Sequence, residues 1–160
     1  MKKTKNVFIS HYGKEDEKVQ RLKQRFAEKG YDIRNYSVDS TKHTRKKRPS
    51  DEVIRRFLRR QISWSSSLIC MIGPRTHTRK WVNYEIEAAH KQGKKIVGVY
   101  THGSSDSVQL PNAFKKYGGS LIGWNSIDRL MDIMNDKEFP VENPSGGSQT
   151  PNFSVSDSKC

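Results

Sequence analysis

Short apolar segments alternate with segments of helical periodicity along this chain, and that alternation limits the possible folds more than any other feature. The apolar segments span residues 7–9, 31–35, 68–72, 96–100 and 120–124. Between them, apolar residues recur at three- and four-residue spacing, as in Val19, Leu22 and Phe26 ahead of the helix-ending Gly30. Strands that alternate with helices of these lengths predict βαβ units and a parallel sheet. We therefore predict an α/β fold with a flavodoxin-like open sheet, mostly parallel, of about five strands with helices on both faces.

The first strand leads directly into three side chains suited to binding a nucleotide. In an open α/β sheet, ligands bind in the crevice at the carboxyl ends of the strands. Ser10, His11 and Tyr12 follow the first apolar run and offer a hydroxyl, an imidazole and an aromatic ring. These groups suit the recognition of a ribose and a base, and no acid is spaced to complete a Ser/His/Asp triad with them.

The helix predicted over residues 80–92 carries an acidic residue beside its apolar side. Trp81, Glu85, Ala88 and Ala89 fall at i, i+4, i+7 and i+8, so they share one stripe of the helix. A carboxylate next to an aromatic ring and small residues loses hydration, which raises its pKa. The pattern also permits a structural interpretation, in which Glu85 lies at the rim of the apolar stripe and pairs with Arg79 or Lys80.

The composition changes after residue 135. Residues 136–160 contain Pro140, Pro144 and Pro151 and a Ser-Gly-Gly-Ser run, and their apolar residues have no period. This predicts one domain over residues 1–135 and a disordered polar tail over 136–160.

Several classes of protein are not expected from this composition. The apolar runs are too short to cross a bilayer, so we expect no membrane partner, and a basic start without a long apolar segment predicts no signal peptide. Two distant cysteines, Cys70 and Cys160, predict a reducing, cytoplasmic environment. The five histidines are scattered, so we expect no metal site.

Residues 41–60 form a strongly basic segment in a chain whose formal net charge is +13. The segment holds nine Lys or Arg residues against Asp51 and Glu52. Such a segment attracts polyanions, although a solvated surface is the commoner explanation. We do not expect nucleic-acid binding, because the only aromatic residue in the segment, Phe57, is predicted to lie on the core face of a helix with Val53, Ile54, Leu58 and Ile62.

Two sequence elements resemble the TIR family. The opening run from Val7 to Tyr12 resembles the family's first strand and loop, although it is weak evidence alone. A more specific match runs from Ile72 to Ile86: an apolar strand, Gly73, a polar loop, Trp81, and Glu85 four residues later on a helix. The resemblance covers roughly residues 5–135 and is nearest to the TIR-like subunits of the bacterial Thoeris antiphage system.

The resemblance implies an enzyme that consumes NAD as a substrate, with no other cofactor. Glu85 occupies the place of the family's essential helical glutamate, and Ser10, His11, Tyr12, Gly73 and Trp81 become candidate substrate-binding residues. The resemblance further implies self-association for activity, and a cyclic or modified ADP-ribose product that a partner effector senses.

Two other functions remain open at this point. A non-enzymatic TIR adaptor that acts by homotypic assembly would not need Glu85. A nucleoside deoxyribosyltransferase, which has a similar fold and also uses a carboxylate, would act on nucleosides and little on NAD.

Overall fold

A computed structural model describes residues 3–11, 16–35, 50–101, 108–137 and 139–142. The strands are β1 (Lys3–Ser10), β2 (Tyr31–Asn35), β3 (Ser67–Ile72), β4 (Lys95–Tyr100) and β5 (Leu121–Ile122). The helices are α1 (Asp16–Glu28), α2 (Asp51–Ser63), α3 (Lys80–Lys91), α4 (Asn112–Tyr117) and α5 (Leu130–Met134). Two 3₁₀ turns, Thr76–Thr78 and Trp124–Arg129, precede α3 and α5.

The strands form one parallel sheet in the order β2-β1-β3-β4-β5. This is the flavodoxin-like order, so the fold class predicted from the alternation of strands and helices is confirmed. The order reverses between β1 and β3, which are neighbours although β2 lies between them in the chain. The chain therefore leaves these two strands in opposite directions, and a crevice opens at their carboxyl ends.

The two faces of the sheet bury separate apolar clusters. Side chains of α1 and α5 pack on one face, against Val7 and Ile9 of β1. Side chains of α2, α3 and α4 pack on the other face, where Phe8 of β1 points. This division follows from the strand itself, because successive side chains point to opposite faces.

Local signals explain where several helices begin and end. Ser50 caps α2 by accepting a hydrogen bond at 3.3 Å from the backbone N–H of Val53. Gly30 and Gly93 follow α1 and α3 with φ angles of +88° and +73°, a region that residues with a Cβ atom seldom adopt. The helix end predicted at Gly30 is confirmed, and the helix predicted over residues 80–92 ends one residue earlier, at Lys91.

Three details of the sequence prediction are wrong. The last strand is shorter than residues 120–124, because Trp124 already begins a 3₁₀ turn. Helix α4 falls in a stretch where no helix was predicted, since six residues are too few to establish a period. Val53 and Phe57 do not lie on the core face of α2, where only Leu58 and Ile62 are fully buried.

The ordered chain continues past the predicted domain boundary at residue 135. Val141 bridges Leu121 of β5, and the backbone N–H of Glu142 donates to the Leu121 carbonyl at 2.8 Å. Glu142 is 4% exposed. The first residues of the predicted tail are therefore part of the domain, while residues 143–160 lie outside the described part of the chain and their predicted disorder stays a prediction.

Candidate active site

Candidate site residues that are far apart in the sequence lie near one another at the carboxyl ends of β1 and β3. Ser10 is the last residue of β1, and Gly73 follows directly after β3. At the adjoining edge, Thr101 follows β4, and its backbone N–H donates to the Ile72 carbonyl at 3.0 Å. The strand ends are thus aligned at the point where the sheet order reverses, which is where open α/β sheets bind ligands.

Glu85 lies in the second turn of α3 and points into this region. Its side chain is buried, and its Oε1 accepts a hydrogen bond from the Ser10 hydroxyl at 2.5 Å. The contact follows from two periodicities: Ser10 shares the face of Phe8 on β1, and Glu85 shares the buried side of α3 with Ile86 and Ala89. The sequence therefore placed Glu85 correctly beside the apolar stripe.

The structural interpretation of Glu85 as half of a surface ion pair is not what the structure shows. Lys80 pairs with Asp51 of α2 instead, at 2.6 Å. In the residues that the structure describes, no lysine or arginine lies within ion-pair distance of Glu85. A buried carboxyl with a hydroxyl partner and no countercharge is an uncommon arrangement in a stable core.

The environment of Glu85 changes its acidity. Burial raises the pKa of Glu85 from 4.5 to about 8, against the opposing effect of the Ser10 hydrogen bond. Near neutral pH the carboxyl is therefore mostly protonated in the unliganded protein. A titratable group perturbed in this way, at the ligand-binding edge of a sheet, marks a candidate functional site.

His11 stands beside this pair at the end of β1. It is half-buried, and its Nδ1 lies 3.3 Å from the carbonyl oxygen of Ile9. The structure therefore brings His11 to the strand edge with Ser10. Tyr12, the third residue predicted from this loop, lies outside the described residues.

Gly73 takes part in a turn that the sequence reasoning did not identify. Its backbone N–H donates to Thr76 Oγ1 at 2.8 Å, and the backbone N–H of Thr76 donates back to the Gly73 carbonyl at 3.3 Å. Thr76 is fully buried. This turn fixes the chain between β3 and α3, and a threonine three residues after a strand-ending glycine was the available signal.

Trp81 lies one turn before Glu85, and its ring has contacts with both α3 and α2. Its ring meets Tyr84 edge-on at 5.8 Å between centroids, and Arg55 of α2 lies 6.0 Å from its centre. Tyr84 in turn accepts a hydrogen bond from Arg59 at 2.9 Å. The structure therefore pairs Ser10 with Glu85, places the Gly73 turn at the same edge of the sheet, and brings Trp81 near Arg55 of α2.

Asn83 is a second residue that the sequence reasoning missed. Its Oδ1 accepts a hydrogen bond from the backbone N–H of Ala113 at 2.9 Å, and its Nδ2 donates to the Arg79 carbonyl at 3.1 Å. It therefore ties the start of α4 to α3, two residues from Glu85. No periodic signal marks it, because its partner is a backbone group thirty residues away.

The described residues have neither a metal-binding cluster nor a membrane-spanning helix. They contain no cluster of three or more His, Cys, Asp or Glu residues arranged to hold a metal ion. No helix among them is long and apolar enough to cross a membrane.

A profile of the family described as "Thoeris protein ThsB, TIR-like domain" matches residues 8–106, which is more than half of the chain. The chain belongs to this family. The matched residues include Ser10, Gly73, Trp81 and Glu85, so this Thoeris TIR-like domain carries its candidate site within the family's own region.

Two similar proteins illustrate the relationship. "Putative cyclic ADP-D-ribose synthase ThsB1" from Bacillus cereus (strain MSX-D12) is 34% identical over 73 residues, which are 45% of this chain and 33% of that protein. The chain thus aligns with about a third of the length of that relative. A 2-deoxyribosyltransferase from Bacillus psychrosaccharolyticus superposes with a TM-score of 0.56 at 14% identity, over 77% of this chain and 90% of that one. The second likeness shows the fold alone.

Proposed function

We propose that this Thoeris TIR-like domain cleaves the bond between nicotinamide and ribose in NAD, with Glu85 as its catalytic carboxylate. The observation that carries the proposal is the buried Glu85, hydrogen-bonded to Ser10 at the reversal point of the sheet. The name of the Bacillus cereus relative, a cyclic ADP-D-ribose synthase, supports the same class of substrate.

The chemistry requires an anion more than an acid. When the C1′–N bond breaks, its electron pair moves onto the nicotinamide nitrogen, which leaves as a neutral group from a cationic ring. Positive charge then develops on the ribose as an oxocarbenium ion, and a carboxylate fixed beside the ribose stabilises it. In this proposal Ser10 positions the Glu85 carboxyl, while His11, Gly73 and Trp81 contact the nucleotide.

The raised pKa links substrate binding to the ionisation of Glu85. With a pKa of about 8, only about a tenth of the carboxyl groups are ionised at pH 7. A cationic nicotinamide ring placed beside the carboxyl favours its ionised form. The substrate itself would therefore shift the catalyst toward its active state, with release of the proton to solvent.

The acceptor determines the product. Attack by water at C1′ yields ADP-ribose and releases a proton, whereas attack by a ring nitrogen of the adenine yields a cyclic product. We propose a cyclic or modified ADP-ribose that acts as a signal in antiphage defence and is sensed by an effector protein. We also propose that copies of the chain associate for activity, that NAD is substrate rather than cofactor, and that no metal takes part.

Chromatography with mass detection tests the proposal directly. NAD is incubated with the wild-type chain, with Glu85→Gln and with Glu87→Gln, an exposed neighbour on the same helix that serves as the matched control. We expect nicotinamide and an ADP-ribose species from the wild type and from Glu87→Gln, and none from Glu85→Gln. Equal turnover by Glu85→Gln would remove Glu85 from the mechanism.

The same assay separates the two other functions. Release of bases from deoxynucleosides, with NAD left intact, would assign the chain to nucleoside deoxyribosyl transfer. Assembly of the chain at high protein concentration without any loss of NAD would contradict the enzymatic proposal and favour an adaptor.

A further inference from the structure

Helix α2 presents an apolar row to solvent on the side opposite its buried residues. Val53 and Phe57 of α2, and Trp64 in the capping position directly after it, are 49%, 48% and 60% exposed, while Leu58 and Ile62 face the sheet. Positions 53, 57 and 64 lie at i, i+4 and i+11, which is one side of a helix. The row is about 16 Å long at 1.5 Å of rise per residue. We call this row, together with Arg56 and Arg60, the α2 outer face.

The two arginines of the α2 outer face have charges that the rest of the described chain does not neutralise. Arg56 and Arg60 are exposed, they stand four residues apart, and neither forms an ion pair with a described residue. The other arginines of the helix differ. Arg55 and Arg59 lie within 3.9 Å of Glu52, and Arg59 also donates to the Tyr84 hydroxyl.

We propose that the α2 outer face is a docking surface for an acidic amphipathic helix of a partner protein. Tryptophan, phenylalanine and arginine are the residue types enriched in protein interfaces, and a row of this length fits about three turns of a partner helix. The unneutralised arginine border requires acidic residues along the matching border of the partner. The inference is independent of the NAD chemistry.

Charge disfavours two other occupants. An antiparallel symmetric pairing of two copies through this face would bring four arginines together, so any association of copies is disfavoured at this surface. A nucleic-acid backbone would meet Asp51 and Glu52 at one end of the row and the carbonyl end of the helix at the other. An apolar, acidic helix avoids both conflicts, because its charges are needed only beside Arg56 and Arg60.

Fluorescence anisotropy with a designed peptide tests the proposal. The probe is a labelled amphipathic helix of about four turns with leucines on one side and glutamates along one border; a second probe carries lysines in place of the glutamates. The proteins are the full wild-type chain, Phe57→Ser, and the double variant Arg56→Glu/Arg60→Glu. Matched controls are Phe139→Ser, another exposed phenylalanine, and Lys115→Glu/Lys116→Glu, which changes the net charge equally elsewhere.

We expect the glutamate peptide to bind the wild type and both controls, and to bind Phe57→Ser and Arg56→Glu/Arg60→Glu at least about tenfold more weakly. The double variant should instead gain affinity for the lysine peptide, a reversal that unfolding cannot produce. Loss of affinity in Lys115→Glu/Lys116→Glu to the same extent would reduce the effect to net charge and overturn the proposal. Tighter binding of an oligothymidylate, or a concentration-dependent dimer lost in Phe57→Ser, would assign the face to nucleic acid or to a second copy.

Discussion

Two carboxyl groups are buried in the part of the chain that the structure describes, and their surroundings differ in the donors that reach them. Glu85 is 6% exposed and has the Ser10 hydroxyl as its hydrogen-bond partner. Glu142 is 4% exposed and accepts from the Gly123 backbone N–H at 2.9 Å, from the Ser126 hydroxyl at 3.2 Å and from the Arg129 guanidinium at 2.7 Å. Glu142 thus has a cationic partner, and Glu85 has none among the described residues.

The difference separates a structural carboxylate from a candidate catalytic one. Three donors, one of them cationic, offset the lost hydration of Glu142 and fasten the C-terminal segment beside β5. Glu85 retains acceptor capacity and has no cationic partner among the described residues, which fits the positively charged ligand that we propose for it. We therefore expect the same substitution, glutamate to glutamine, to have opposite consequences at the two positions.

The largest expected effect is on turnover. Glu85→Gln removes the anion beside the ribose, and we expect NAD cleavage to fall by at least about a thousandfold, as for the loss of a principal electrostatic stabiliser. Glu142→Gln should retain activity within about threefold at a temperature where it is folded, since Glu142 accepts hydrogen bonds from Gly123, Ser126 and Arg129, none of which is a candidate site residue. Both variants are measured in one nicotinamide-release assay, and comparable losses would break the distinction.

The next effect concerns stability and its dependence on pH. Because the folded-state pKa of Glu85 is about 8 and the unfolded value is near 4.5, the folded chain holds a proton that the unfolded chain releases between these values. The stability associated with this proton is fully present below pH 4.5 and is lost as the pH rises toward 8. We expect Glu85→Gln, which does not ionise, to exceed the wild type at pH 8 by on the order of a few kcal/mol and to match it near pH 4.5.

Urea unfolding of the two proteins at both pH values measures this difference as a shift in midpoint. Glu87→Gln is the control and should follow the wild type at each pH, since its side chain is exposed. A wild-type domain that gains stability between pH 5 and pH 8 relative to Glu85→Gln would show that Glu85 folds as an anion.

Glu142→Gln should lower the free energy of unfolding at pH 7 by about 2 kcal/mol, because the amide places a donor against Ser126 and Arg129. Truncated chains test in a second way whether residues 136–142 stabilise the domain. A chain that ends after residue 142 should keep the wild-type midpoint, and one that ends after residue 135 should lose at least as much stability as Glu142→Gln. Thermal scans of the three chains decide whether the segment contributes to stability.

The sequence predicted Glu85 and missed Glu142 for a physical reason. The apolar residues of the helix that contains Glu85 recur at helical spacing, so the position of Glu85 beside Ile86 and Ala89 could be predicted from the sequence. The donors to Glu142 are a backbone group at the end of β5 and side chains of the following turn. Only the tertiary fold brings them together, and the prolines around residue 142 favoured a disordered tail.

The buried side of α2 is another feature that depends on the tertiary fold and not on local spacing. The apolar residues of α2 extend around about half of its circumference, which is wider than the buried face, and the spacing alone therefore predicted Val53 and Phe57 on the core side. The structure buries the side defined by Leu58 and Ile62, since that side faces β1 and β3. The strand order was easier to predict from the sequence than the buried side of α2, because an alternation of strands and helices is compatible with few parallel topologies.

The smallest effect sharpens the role of Ser10. Its hydrogen bond lowers the pKa of Glu85 against the larger opposing effect of burial, so Ser10→Ala should raise that pKa further. The pH dependence of kcat/KM reports the ionisation of groups in the free enzyme. We therefore expect the midpoint of the increase of kcat/KM with pH to shift to higher pH by about half to one unit. Ser65→Ala is the matched control, since Ser65 is also buried but donates to the Gln61 carbonyl.

A pH–rate profile of the three proteins distinguishes positioning from simple packing. A packing defect at Ser10 would lower kcat/KM by the same factor at every pH, and the midpoint would stay in place. An upward shift confined to Ser10→Ala would instead tie the hydroxyl to the charge on Glu85. That outcome would identify the Ser10 contact as a feature that eases the ionisation of Glu85 against the larger effect of burial, in contrast to Glu142, which has a guanidinium as a direct partner.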